Sequence, residues 1–336
     1  MKVARVTVSF TILLTALAAG QAPSNQEHTI TVTIPNAAGI QNFHEVATLV
    51  RSIAEIRQMT TDNSKQTVTI TAPADQFAMA QWLFREVDIV PGSQALPASG
   101  HEYKVGPDDI VRVYSIGAPS SVQDFQEVAT MVRSLADIRS VFTYIAPRVL
   151  ALRSTAKQLA LADWMIQQVN QPLNVKRPDI SEEYRLTGVP EDVVRIFYVR
   201  HADSVQSFQE LATVIRSTTQ IARAYTYNAS RALALRGTAD QLALAEWLYR
   251  ALDQPVPVSR ANAPKQPFQV AGNSNDLVRV FFLSPAYNVQ RFQQEAVRIR
   301  TAANLRRAFT CNAPRALTVR GTADQVATAE QLVDNH

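Results

Sequence analysis

Arginine is the residue type whose spacing first invites a chemical reading. Arg148, Arg231 and Arg315 stand in short turns at corresponding places along the chain, and Arg153, Arg236 and Arg320 follow them just ahead of an apolar helical pattern. Such a set suits a basic rim that takes an anionic partner; the alternative is solvated charge with local hydrogen bonds and little net energy. A second set joins Arg112, Arg195 and Arg279 to Tyr114, Phe197 and Phe281, each arginine two residues before its aromatic and therefore on the same face of an extended strand. Val111, Val194 and Val278 point the other way. If helices cover the valine face, an aromatic and arginine surface is left for a neighbouring module or another protein, because those residue types are enriched at interface cores. If helices cover the aromatic face, the same residues are core. Period-two parity fixes the two sides without saying which is inside.

Other chemistry finds little support. The histidines His28, His44, His101, His201 and His336 neither recur at one place nor stand four apart on a helix, so no metal or acid–base constellation forms. Cys311, the single cysteine, occupies the place held elsewhere by Tyr144 and Tyr227, which reads as a strand residue, and it leaves no partner for an intramolecular disulfide. The ten glycines form no GxGxxG and no phosphate loop, and no cofactor is implied. With 46% hydrophobic and 18% charged residues the chain is globular rather than disordered. Its net charge of +4 includes Lys2 and Arg5 near the start, without which it is +2, too small to argue for nucleic acid as a partner.

The elements that position these residues repeat. Asp109 to Pro172 aligns without gaps on Asp192 to Pro255 at an offset of 83, and that copy aligns on Asp276 to His336 at an offset of 84. Ile30 to Asp88 is a more diverged copy at an offset of 82, keeping Phe43, Glu45, Arg51, Gln76 and Trp82. The expected modules are 28–89, 109–172, 192–255 and 276–336, with joining segments 90–108, 173–191 and 256–275 rich in Pro, Ser, Asn and Gly.

Each module reads strand, helix, strand, strand, helix. In the third, Val194 to Val199 is a β-branched and aromatic run suited to a buried strand. Phe208, Leu211, Ala212 and Ile215 follow the helical period, and Arg216 stands near the negative end of the helix dipole. Ala224 to Tyr227 and Ala232 to Leu235 form a strand pair around Asn228-Ala229-Ser230-Arg231. Thr238 to Gln241 fits a capping box, repeated at Thr155 to Gln158 and Thr322 to Gln325, and Pro255 ends the last helix. The expectation is an α+β protein of four tandem βαββα modules, each a small sheet with two helices on one face. Trp82, Trp164 and Trp247 recur in the final helix as packing residues, and Gln331 in the fourth copy marks a helix that meets water.

The stretch Asn228 to Gln241, continuing to Leu252-Asp253-Gln254-Pro255, together with Val194 to Asp203, resembles the periplasmic N-domains of bacterial secretins. The resemblance implies KH-like βαββα modules in tandem, which in that family form rings beneath an outer-membrane channel and contact inner-membrane partners. No long run of alternating strands follows the fourth copy, so pore formation does not carry over. The GxxG loop with which nucleic-acid-binding KH domains grip a backbone is also missing.

Location follows from residues 1–20. Lys2 and Arg5 precede an apolar run from Val6 to Ala19, with small Ala18 and Gly20 placed for signal peptidase, so a cleaved signal peptide is expected. The run is shorter than the ~20 residues of a spanning helix. The sequence thus predicts a non-enzymatic, periplasmic or secreted repeat protein, a scaffold for protein partners or for self-association at the cell envelope of a secretion or pilus system, with no transmembrane segment after cleavage. Polyanion, nucleic-acid or envelope-polymer binding through the arginine turns, and an enzyme with a site between modules, are the alternatives.

Overall fold

Antiparallel sheets, each bearing two α-helices on one face, follow one another along the chain. The computed structural model describes residues 11–12, 27–89, 100–171, 176–186, 188, 192–272 and 275–335. The chain divides into two compact units, Met1–Pro172 and Leu173–His336.

In the first unit, module 1 comprises β2 (Glu27–Thr33), α1 (Ile40–Ile53), β3 (Gln58–Asp62), β4 (Thr67–Pro73) and α2 (Ala74–Val87), with β1 (Thr11–Ile12) on the outer edge of β2. Module 2 comprises β6 (Asp109–Ser115), α3 (Val122–Leu135), β7 (Ser140–Tyr144), β8 (Val149–Ser154) and α4 (Ala156–Val169), edged by β5 (His101–Gly106). In the second unit, module 3 comprises β10 (Val193–Tyr198), α5 (Val205–Thr219), β11 (Arg223–Tyr227), β12 (Ala232–Gly237) and α6 (Ala239–Leu252), edged by β9 (Tyr184–Arg185). Module 4 comprises β14 (Leu277–Phe282), α7 (Val289–Ala302), β15 (Arg307–Cys311), β16 (Ala316–Gly321) and α8 (Ala323–Asp334), edged by β13 (Phe268–Gln269).

Every sheet has one strand order: an upstream edge strand, then the module's first, third and second strands. The edge strands β5, β9 and β13 come from the segments read as joining stretches. At two to six residues they are too short to show a period, and pairing rather than propensity makes them strands. The leader lies outside the described residues except for Thr11–Ile12, paired as Thr11↔Thr31 and Ile12↔Ile30.

Local chemistry explains the helix and hairpin boundaries. Thr238 accepts from the Gln241 N–H at 3.2 Å while Gln241 Oε1 accepts from the Thr238 N–H at 3.0 Å, and Thr322 with Gln325 repeats the box. At Thr155 only half of it forms, because Gln158 Oε1 accepts instead from the Thr155 hydroxyl (2.9 Å) and the Ser154 hydroxyl (2.6 Å). The hairpins turn at Arg148, Arg231 and Arg315 with φ of 55°, 50° and 51°, left-handed positions where a non-glycine residue needs support. That support is a repeated bond: the Arg148, Arg231 and Arg315 carbonyls accept from the N–H groups of Ile116, Val199 and Leu283, the residues just after each first strand.

A further latch closes three of the modules. Asp253 Oδ2 and Oδ1 each accept from a backbone N–H, of Arg200 and His201, at 2.8 Å. Asp88 accepts from the Asn36 N–H at 3.0 Å and Asn170 from the Ala118 N–H at 2.9 Å. Each residue ends the second helix of its module and ties it to the loop after the first strand.

Candidate functional site

The two faces of the first strand have separate fates. Tyr114, Phe197 and Phe281 are buried against the helices of their own modules. The Tyr114 hydroxyl donates to Asp163 of α4 at 2.6 Å, Phe197 lies 5.4 Å from the Tyr249 ring of α6, and Phe281 joins Phe292 and Ala329 in the module 4 core. The aromatic face is therefore the helix-covered one. Arg112, Arg195 and Arg279 sit at its margin as bridges. Arg112 binds Asp163 of α4 and Glu102 of β5; Arg195 binds Glu246 of α6 and Glu183 just before β9; Arg279 binds Glu330 of α8 and the Pro264 carbonyl. Each guanidinium fastens the upstream edge segment to the second helix. Burial of Glu246 would raise its pKa, but hydrogen bonds from Arg250 and Arg195 outweigh that and hold the carboxyl below its usual value.

The valine face is covered by the preceding module of the same unit. Val111, Val113, Tyr144, Val149 and Ala151 of module 2 pack into one core with α1 and α2 of module 1. Val278, Val280, Phe282, Cys311 and Ala316 of module 4 do the same with module 3. The helices of the first module in each unit thus lie between two sheets. Their sequences show how: α1 buries Ala47 and Val50 along one stripe and Val46, Leu49 and Ile53 along another, and α5 buries Ala212 and Ile215 beside Leu211, Val214 and Thr218. Trp82 and Trp247 extend the junctions, 5.4 Å from Tyr103 of β5 and 5.7 Å from Phe268 of β13.

Two polar devices fix the register of each junction. Glu45 of α1 accepts from the Ile145 N–H at 2.9 Å, and Glu210 of α5 accepts from the Asn312 N–H at 2.8 Å and from Asn312 Nδ2 at 2.9 Å. A carboxylate meeting backbone N–H groups in a partly buried place makes a strong, directional bond. Arg153 Nη1 donates to the Ile53 carbonyl at the end of α1, and Arg320 Nη1 to the Thr218 carbonyl near the end of α5, both at 2.8 Å. These carbonyls are helix-terminal acceptors that lack intrahelical donors. The same guanidiniums pair with Asp109 (2.7 Å) and Asp276 (3.0 Å), as Arg236 does with Asp192 (2.7 Å).

The proposed basic rim is largely engaged within the chain. Besides the ion pairs just described, Arg148, Arg231 and Arg315 donate to the Ser120, Asp203 and Tyr287 carbonyls in the loops before each first helix, at 3.0, 3.2 and 2.8 Å. The histidines have structural neighbours: His101 Nδ1 lies 2.5 Å from Glu86, and His201 Nδ1 lies 3.1 Å from the Asp253 carbonyl. His28 faces Phe77 and His44 faces Phe43, while His336 lies outside the described residues. Cys311 is buried, and desolvation with the charge of Glu210 pushes its thiol up to about 12, unsuited to nucleophilic work. Among the described residues no group of three His, Cys, Asp or Glu could hold a metal, and no helix is long and apolar enough to cross a membrane.

Sequence reasoning missed Glu45 and Glu210 because a single acid on a helix surface is indistinguishable from solvated charge until its acceptor role is seen. The second apolar stripe was a readable signal. Positions 46 and 49, 128 and 131, and 211 and 214 are apolar in the first three modules, whereas the fourth has Glu295 and Arg298, joined by an ion pair at 2.5 Å.

No family model matches the chain, and no curated protein matches its sequence. Solved structures similar to it include Aeromonas hydrophila ExeD, at 14% identity and a TM-score of 0.16, covering 68% of this chain and 41% of that one. The N-terminal domain of the secretin XcpQ from Pseudomonas aeruginosa matches at 12% identity and a TM-score of 0.23, covering 63% of this chain and 77% of that one. The ETEC pilotin–secretin AspS–GspD complex matches at 11% identity and a TM-score of 0.16, covering 92% of this chain and 54% of that one. The chain thus spans under half the length of ExeD and about half that of the matched chain of the AspS–GspD complex.

Proposed function

We propose that this protein is an exported, non-enzymatic scaffold whose stacked modules act by protein–protein contact at a Gram-negative-type cell envelope, in association with a secretion or pilus system. The observation that supports this reading is the use made of the recurring polar residues. Glu45 and Glu210 join one module to the next, Arg153 and Arg320 do so while pairing within their own sheets, and Arg112, Arg195 and Arg279 hold edge segments to helices. A chain whose repeated chemistry holds modules in register presents a rigid surface, which suits recognition more than turnover. The same use of the arginines weighs against the polyanion reading.

The test has two parts. Mass spectrometry of the protein purified from its native source is expected to find an N-terminus at Gln21, and fractionation to find it in the periplasm or medium. Affinity capture from the envelope fraction is expected to retrieve a component of a secretion or pilus assembly. An intact Met1 in the cytosol would overturn the export reading, and capture of nucleic acid or envelope polymer in place of protein would overturn the scaffold reading.

A further inference from the structure

The edge of each module's first strand is occupied by a segment from upstream, but module 1 differs in what occupies it. In modules 2 to 4 the edge strands β5, β9 and β13 belong to the body of the chain, and Arg112, Arg195 and Arg279 fasten those segments through Glu102, Glu183 and the Pro264 carbonyl. In module 1 the edge is held by Thr11–Ile12, inside the leader, and the position corresponding to the arginines is Ile30, which has no charge with which to fasten anything. Removal of residues 1–20 takes away β1, the strand described on that edge of β2.

Little in β2 keeps its edge from pairing: its one acidic or basic charge, Glu27, stands at its first position. Glu27–Thr33 reads Glu-His-Thr-Ile-Thr-Val-Thr, seven residues with no proline, no lysine and no bulge in its pairing with β4. Ile30 and Val32 face the helices, while Thr29, Thr31 and Thr33 face outward. Two hydroxyl pairs across the outer face, Thr29 with Thr71 and Thr31 with Thr69, both at 2.9 Å, keep the sheet regular up to that edge.

We propose that two mature chains pair antiparallel through β2, dyad-centred on Thr31, to make one continuous sheet; the inference rests on the leader removal proposed above. The register comes from the leader strand itself, which sets Thr11 opposite Thr31 and Ile12 opposite Ile30. A second β2 centred on Thr31 sets a threonine opposite Thr31, as the leader does, and a valine opposite Ile30, where the leader sets another β-branched residue, isoleucine. It also places Thr29 opposite Thr33 of the other copy, with no like charges facing along the paired core. One strand meeting itself in this way gives a closed two-fold contact, which stops at a dimer.

The register makes the test specific. The chain beginning at Gln21 and the chain beginning at Met1 are compared by sedimentation at about 50 µM, enough to populate a dimer of micromolar Kd. The shorter chain is expected to be dimeric and the longer one monomeric. In the shorter chain T29K/T33K places lysine opposite lysine across the dyad and is expected to weaken the dimer tenfold or more, whereas T29K/T33E places lysine opposite glutamate and is expected to keep it. Circular dichroism establishes that both variants are folded. A monomeric Gln21 chain, or a dimer equally strong in both variants, overturns the proposal. Failure of the leader reading is a separate result, an uncleaved N-terminus on the native protein, and does not alter what the Gln21 chain reports.

Discussion

Threonine stands in module 1 where modules 2 and 4 present valine to a neighbour, and exchanging the two residue types measures what a junction contributes. Thr29 and Thr31 are exposed; their counterparts Val111 and Val113 are fully buried against module 1. V111T/V113T changes no side-chain volume appreciably. Each substitution removes a buried methyl group, about 1 kcal/mol of transfer energy, and buries a hydroxyl whose strand neighbours already use their backbone groups, a further ~1–3 kcal/mol. Taking about 2 kcal/mol per site, the pair is expected to cost roughly 4 kcal/mol, or ~8–15 °C in the melting temperature of a unit this size. The mirror variant T29V/T31V, on the open face, is expected to stay within ~0.5 kcal/mol of the parent. Urea and thermal unfolding followed by circular dichroism give both numbers. If the two double variants shift stability by the same amount, the valine face is not a buried junction and the account of stacking fails.

Arg320→Lys is expected to cost ~1–2 kcal/mol, because a single ammonium cannot reproduce the fork that reaches Asp276 and the Thr218 carbonyl together; a urea titration showing no change would remove the arginine from the junction. The Cys311 thiol, pushed up to about 12 by burial and the charge of Glu210, is expected to resist a disulfide reagent at pH 8 in the folded chain and to react at once in denaturant. An acid with a raised folded pKa contributes stability that is complete below its unfolded value, near 8.5, and is lost as pH rises toward 12. Stability measured from pH 8 to 10.5 should therefore fall less steeply in Cys311→Val than in the parent, and parallel curves would refute the assignment.

The module was legible in the sequence because its signals are local. Phe208, Leu211, Ala212 and Ile215 keep the helical period, Thr238 and Gln241 cap the next helix, and α5 and α6 form over Val205–Thr219 and Ala239–Leu252 around them. The fate of the first strand was not legible, for a physical reason. Alternation distinguishes one face from the other only when one of them meets water, and in β6 and β14 neither does: Tyr114 and Phe281 are buried under their own helices while Val111 and Val278 are buried under a neighbour's. A strand with apolar residues of both parities signals a sheet covered twice.

The same reasoning separates junction chemistry from the chemistry of an open face. Where a helix pair is covered by a second sheet it has two apolar stripes, as α1 has in Val46 and Leu49 and α5 has in Leu211 and Val214. In module 4 the second stripe becomes Glu295 and Arg298, and Gln331 stands in the place of Trp82 and Trp247. On the sheet side, the outer face of module 1 is threonine at 29, 31, 69 and 71, joined in hydroxyl pairs, where module 2 has Val111, Val113, Ala151 and Arg153. Glu45 and Arg153 follow the same logic: the acid is Gln294 in module 4 and the arginine is Thr71 in module 1. Within the first unit Arg153 of module 2 has Thr71 as its counterpart in module 1, and within the second Glu210 of module 3 has Gln294 in module 4. Under the leader removal proposed above, the edge of β2, which loses its pairing with Thr11–Ile12, rather than its threonine face, is the part of module 1 offered for strand pairing.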